Sequence, residues 1–229
     1  MKRTKPAKRS EKARVDEILA ALRAASDTKI RDEMGPRYGI VTPKAMGVRM
    51  AAMQKIAKPH AGDHALAAAL WDAEWYEARM VASMVDDPAQ VTPSQMDRWC
   101  RDFDNWAICD TVCFKLFDRV PHALAKVEAW AGRKPEFEKR AAFALLASVA
   151  LHDKKLADDA LRRFLPLCEE ASADARNFVK KGVSWALRGM GHRGPALKRD
   201  CIALARRLAA SEDAAPRWVG KDVLRDLCR

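Results

Sequence analysis

Apolar positions recur along this chain at intervals of three and four. Val15, Ile18, Leu19 and Leu22 follow an i, i+3, i+4, i+7 stripe, and Leu197, Cys201, Leu204 and Leu208 do much the same near the other end. Val, Ile and Thr are sparse, strictly alternating stretches are absent, and Ala and Leu dominate, so the pattern predicts helices throughout. Prolines punctuate them. Thr42-Pro43 and Thr92-Pro93 each read as an N-cap followed by proline in the first helical position, and Thr92-Pro93-Ser94-Gln95 also fits a capping box. Pro59, Pro88, Pro121, Pro135, Pro166, Pro195 and Pro216 fall in connections. The predicted helices span 10–25, 43–58, 63–73, 75–85, 93–101, 105–117, 120–131, 135–151, 153–165, 173–190, 195–210 and 216–228.

An internal echo joins two of these segments. Aligned without gaps, "PEFEKRAAFALLA" (135–147) and "RNFVKKGVSWALR" (176–188) match Phe137 with Phe178, Lys139 with Lys180, Arg140 with Lys181 and Leu146 with Leu187. "EWYEARMVASMV" (74–85) has a similar look, with Arg79 in the place of Arg140. The offset of 41 residues falls in the range of helical-pair repeats. Such pairs cannot bury their apolar faces alone and stack on their neighbours. The expected architecture is therefore all-α, a HEAT-like solenoid with one helix of each pair lining a concave face. An irregular helical bundle is the alternative. No internal linker divides the chain, so residues 10–229 are expected to form a single repeat domain behind a basic tail of residues 1–9.

Composition narrows the class. The chain has 229 residues, 49% hydrophobic and 32% charged, enough apolar content for a core. It contains no apolar run of 18 residues, and its basic start, MKRTKPAKRSEKAR, lacks an apolar stretch behind it. Neither a membrane span nor a secretory signal is expected, which points to the cytoplasm. The six cysteines (100, 109, 113, 168, 201, 228) form no CxxC pair and read as buried free thiols. The five histidines are dispersed; His60 and His64 have i, i+4 spacing, but nothing nearby completes a set of four ligands, so no metal is expected. No GxGxxG, P-loop or GxSxG motif occurs, leaving nucleotide cofactors and serine hydrolase chemistry without support.

Charge adds a functional clue. Forty-two Lys and Arg against 31 Asp and Glu give a net charge of +11. Residues 2–14 hold seven basic side chains and one acid, so they supply six of those eleven charges. Such an excess favours phosphate backbones or other anionic surfaces, although a basic tail on an otherwise ordinary protein would read the same way.

Within "DNWAICDTVC" (104–113), Trp106 and Asp110 are one helical turn apart and project from the same face. Periodicity alone leaves two readings: a core tryptophan beside an incidental acid, or an aromatic surface with a carboxylate aimed at a substrate.

"NWAICDTVCFKLFD", "EFEKRAAFALLASVALHDK" and "NFVKKGVSWALRGMGHR", in that order and spacing, resemble the AlkD-like DNA alkylation repair glycosylases. "RYGIVTPKAMGVRMAAMQKIAK" (37–58) is similar to that family's N-terminal segment, and the resemblance runs from about residue 35 to 228. It implies a HEAT-like solenoid gripping duplex DNA and excision of N3- and N7-alkylated purines by hydrolysis of the N-glycosidic bond. Carried over by motif, Asp110 matches the catalytic carboxylate, and Trp106 and Trp185 match the two tryptophans beside the lesion's sugar. Arg140 matches a basic residue holding the backbone near the lesion, while Arg188 and Thr42 resemble further backbone contacts. Ala107 departs from the pattern, since relatives often carry an acid there, and residues 10–34 contain no aromatic.

The implied partner is double-stranded DNA carrying alkylated purines, met by a monomer with no cofactor, no metal and no membrane, at the nucleoid in a bacterial cell. The alternative is a non-catalytic helical-repeat module that binds nucleic acid or protein.

Overall fold

A computed structural model describes residues 10–229; the basic tail of residues 1–9 lies outside them. The described residues form fourteen α-helices and no strand. They divide into two compact units, one ending at Gln90 and the other starting at Val91.

The first unit holds five helices. α1 (Glu11–Ala24) is capped by Ser10, whose Oγ accepts from the Ala13 amide at 3.3 Å, and it buries Ile18, Leu19 and Leu22 of the predicted stripe. α2 (Thr28–Tyr38) went unpredicted. Its sequence, TKIRDEMGPRY, buries only Met34 and contains Gly35 and Pro36, so it carries no apolar stripe. What starts it is Asp27, whose carboxylate accepts from Lys29 N at 2.9 Å. Gly39 ends it in the left-handed region at φ +63°.

The helix expected from residue 43 begins only at Met50, as α3 (Met50–Ala57). A buried carboxylate explains the delay. Glu77, 0% exposed, accepts from the backbone N–H groups of Met46 at 3.0 Å, Gly47 at 2.7 Å and Val48 at 3.3 Å. Those donors satisfy an internal anion instead of opening a helix. Gly47 sits at φ +81°, and a Cβ there would collide with the Asp27 carbonyl and the Arg31 amide. Thr42 is thus a loop residue, and Arg49 holds the N-cap position of α3. α4 (His64–Asp72), capped by Asp63, and α5 (Tyr76–Val85), which carries Glu77, pack together and complete the unit.

In the second unit α6 (Pro93–Arg101) starts as predicted, Thr92 Oγ1 accepting from Gln95 N at 3.1 Å. There follow α7 (Trp106–Lys115), α8 (Ala123–Ala131) and α9 (Glu136–His152). Where one helix was predicted over 153–165, the chain forms α10 (Asp158–Arg162) and α11 (Leu165–Ala171). Asp153 turns the backbone by accepting from Lys155 N and Leu156 N, both at 3.1 Å, and Pro166 sits in the first turn of α11. The unit closes with α12 (Asn177–Gly191), α13 (Pro195–Ala209) and α14 (Ala214–Leu227).

These helices form two layers. α7, α9, α12 and α14 pack side by side in that order, with α8 on α9 and α13 on both α12 and α14 in the other layer. α9 buries every residue from Arg140 to Ala150, as a helix packed on all sides must. The sequence echo is physical: Phe137 and Phe178, matched at the 41-residue offset, pack together in a tilted pair with ring centroids 5.2 Å apart. Repeat-equivalent residues meet because α9 and α12, neighbours in one layer, lie in register. Five cysteines are buried and free, while Cys228 is exposed near the end of the chain. Burial raises the buried thiols of Cys100, Cys113 and Cys168, and that of Cys201 to about 12, so these cysteines pack as small apolar groups.

Candidate active site

Asn105 starts α7 by accepting from the Ile108 amide at 3.0 Å, with its own side chain buried. That cap makes Trp106 the first helical residue and places Asp110 one turn later, both partly exposed. Ile108, Cys109, Val112 and Cys113 face inward at 0–1% exposure. Ala107 is buried as well, at 6%, so an acid in its place would have to be desolvated.

Asp110 opens onto a recess of about 510 Å³ whose walls are Asp110 (α7), Arg140 (α9), Lys181, Trp185 and Arg188 (α12), and Trp218 and Asp222 (α14). Four of the six residues singled out in the sequence, Asp110, Arg140, Trp185 and Arg188, therefore meet there. Trp106 shares the Asp110 helix but does not line the recess. Thr42 belongs to the first unit.

Two residues of the recess form an ion pair. Arg140 donates from Nε to Asp110 Oδ1 at 2.8 Å and from Nη2 to Oδ2 at 2.7 Å, a bidentate fork; its Nη1 donates to the Phe178 carbonyl at 2.6 Å. Arg140 is only 6% exposed, and the Asp110 side chain 18%. Burial pushes the Asp110 carboxyl above the usual carboxylate range, opposed by the charge and hydrogen bonds of Arg140. Arg140 keeps its charge, since the paired carboxylate outweighs its own desolvation. This guanidinium faces a carboxylate and a carbonyl, and holds Asp110 by both oxygens.

The other cations of the recess are more available. Arg188 stands 3.9 Å from Asp222 and 3.9 Å from Asp226, and its Nε is buried without a hydrogen-bond partner. Asp222 accepts from Ser184 Oγ at 2.6 Å and is also paired with Arg225. Lys181 is exposed, and the Lys180 ammonium lies 5.1 Å from the centre of the Trp218 ring. Counting two aspartates against Arg140, Lys181 and Arg188, the lining is formally +1.

Sequence reasoning missed Lys181, Trp218 and Asp222. Lys181 had a signal, because the repeat echo aligned it with Arg140. Trp218 and Asp222 had none, for α14 joins the site only through packing on α12 and α13. Among the described residues, no group of three His, Cys, Asp or Glu side chains could hold a metal ion, and no helix is long and apolar enough to cross a membrane.

Stacked helix pairs, with this recess on the layer formed by α7, α9, α12 and α14, define a helical-repeat protein. The family model described as "DNA alkylation repair enzyme" matches residues 18–225, and the chain belongs to that family. A solved structure, from a work on "a new family of proteins related to the HEAT-like repeat DNA glycosylases with affinity for branched DNA structures", has the same fold. It aligns with TM-score 0.76 over 92% of this chain and 94% of its own, at 17% identity. No curated protein matches the chain.

Proposed function

We propose that this protein is a DNA glycosylase that hydrolyses the N-glycosidic bond of cationic N3- and N7-alkylated purines in duplex DNA. The observation that carries the reading is the meeting of Asp110, Arg140, Trp185 and Arg188, from α7, α9 and α12, around one recess. Alkylation at N3 or N7 gives the purine a formal positive charge. The base then leaves with the electron pair of the glycosidic bond and departs neutral, so no general acid has to protonate it. One carboxylate suffices, where glycoside hydrolases commonly need two. Asp110 stabilises the cationic sugar and orients the water that adds to C1′, the water's proton passing to the carboxylate or solvent. The Trp185 indole in the recess adds about 0.5–2 kcal/mol by cation–π attraction, and Trp106, one turn before Asp110 and outside the recess lining, is assigned as the second indole beside the sugar. Arg140 holds Asp110 in place, and Arg188 and Lys181 take backbone phosphates, with Thr42 a further backbone contact. The reaction needs water and neither metal nor organic cofactor.

Incubation with duplex DNA carrying N7-methylguanine should release the free base. Asp110→Asn should slow that release by roughly a hundredfold or more, and Trp185→Ala should reduce it measurably. Undiminished release by both variants would remove these residue assignments. No release from any cationic lesion would remove the activity.

A second reading has its own support. Arg140 occupies both oxygens of Asp110 and the recess lining is formally +1, which suits anion binding better than stabilising a cationic sugar. The solved relative belongs to proteins with affinity for branched DNA. A protein that binds DNA without cutting the glycosidic bond would show salt-dependent affinity, no base release and tolerance of Asp110 substitution.

A further inference from the structure

Seven tryptophans occur in the chain, and their placement separates them. Trp71, Trp99 and Trp130 are 0–1% exposed and belong to the core. Trp218 is partly exposed and forms a wall of the recess facing Asp110 and Trp185. The helix beneath it is closely packed. Two residues on, Gly220 packs so closely on α13 that a Cβ would collide with the Ala209 amide and the Ala205 carbonyl. Pro216 and Val219 on either side are buried. Trp218 itself, unlike Trp71, Trp99 and Trp130, stays partly exposed at the edge of the recess.

Its neighbours are cations. Lys180 lies 5.1 Å from the ring centre, and Lys181 and Arg188 line the same recess. Of the acids beside them, Asp110 is held by Arg140, and Asp222 takes Ser184 and Arg225 as well as the looser contact with Arg188 at 3.9 Å, so neither pairs with Lys180 or Lys181. An indole at the edge of a recess, with Lys180 over one face and Lys181 lining the same recess, is an arrangement that stacks a nucleobase on its other face while the phosphates meet the lysines. A base inside an intact duplex already has both faces covered by its neighbours. Only an unpaired base offers a free face to an indole.

We infer that Trp218, with Lys180 and Lys181, forms a seat for a single unpaired DNA base beside the carboxylate of Asp110. The inference rests on the reading of this recess as a DNA site, and it names the DNA form the recess prefers. An unpaired nucleotide seated on α14 positions the strand next to Asp110, and Trp218 selects the DNA without touching the bond that breaks.

Affinity should be measured for the full chain with a fully paired duplex and with the same duplex carrying a one-nucleotide bulge. Wild type should prefer the bulged form by roughly tenfold, equivalent to about 1.4 kcal/mol. Trp218→Ala should bring the two affinities within about twofold, and Trp218→Phe should retain part of the preference. Placing 5-iodouracil at the bulge should yield a photocrosslink to Trp218, a readout that needs no variant to fold. Equal affinity of wild type for both DNAs, an undiminished preference in Trp218→Ala, or a crosslink mapping elsewhere would overturn the seat. Base release from alkylated duplex would still stand in those cases. Absence of affinity for either DNA would overturn the seat and the DNA reading together.

Discussion

Arg140 and Asp110 provide most of each other's solvation. Three hydrogen bonds, two between the pair and one to Phe178, replace water for a guanidinium that is 6% exposed. Removing one partner leaves the other charged and buried, at a penalty of about 3–5 kcal/mol, whereas replacing both with apolar groups of similar volume is often neutral. Arg140→Met and Asp110→Leu should therefore each lower the urea midpoint strongly, while the double variant recovers much of the loss. Simple additivity of the two single effects would show that the pair is screened by solvent and is not a buried unit. The cycle also guards the functional test, since a poorly folded Asp110 variant loses activity for reasons unrelated to chemistry. In the sequence, Trp106 and Asp110 were legible as a helical pair, and the family resemblance gave them roles. The true partner of Arg140 was not legible: that guanidinium reaches 30 residues back, and no local pattern records such a contact.

Elements were legible where an apolar stripe and a side-chain cap coincide, and illegible where a tertiary contact takes over the backbone. Thr92-Pro93 and Thr42-Pro43 look alike in the sequence, yet only Thr92 caps a helix, because Glu77 captures the amides that follow Thr42. The same logic governs the junction between α11 and α12. Asp174 accepts from the Arg176 backbone amide at 3.1 Å and side chain at 2.9 Å, and pairs with Lys139 of α9 at 3.0 Å. The Arg176 side chain, followed by Lys139 and the amide, holds the Asp174 carboxyl far below the usual carboxylate range. A folded-state value below the unfolded one means that the unfolded chain binds the proton more tightly. The stabilisation is therefore complete above the ordinary aspartate range near pH 4 and is lost as pH falls through it and below. Asp174→Asn should lower stability at pH 7 by about 1–2 kcal/mol and have a diminishing effect towards pH 2. Urea melts of both proteins across that range test the sign, and a penalty that grows on acidification would contradict the assignment.

At the scale of the whole molecule, charge decides how much of DNA binding belongs to the recess. Six of the eleven net positive charges come from residues 2–14, leaving five for the rest of the chain. Composition alone therefore allows the start of the chain to do most of the electrostatic work. The recess makes a different prediction, because Lys181 and Arg188 sit beside the carboxylate and α14. Each phosphate neutralised contributes about 0.9 to the slope of log affinity against log salt on duplex DNA. Lys181→Gln and Arg188→Gln should each reduce that slope by roughly one, and their double variant by roughly two. Lys154→Gln and Lys155→Gln, in the turn beyond the far end of α9 and outside the recess lining, should leave it nearly unchanged. Binding titrations from 50 to 200 mM salt span enough range to read this, since a protein with several phosphate contacts loses orders of magnitude in affinity over that interval. If the recess variants keep the wild-type slope, the phosphates lie on other basic residues, and the meeting of Asp110 with Arg188 and Lys181 serves packing alone. If the slope falls as expected while base release is absent, the recess is a DNA site whose carboxylate Arg140 keeps occupied. The salt dependence thus separates where DNA binds from what Asp110 does to it.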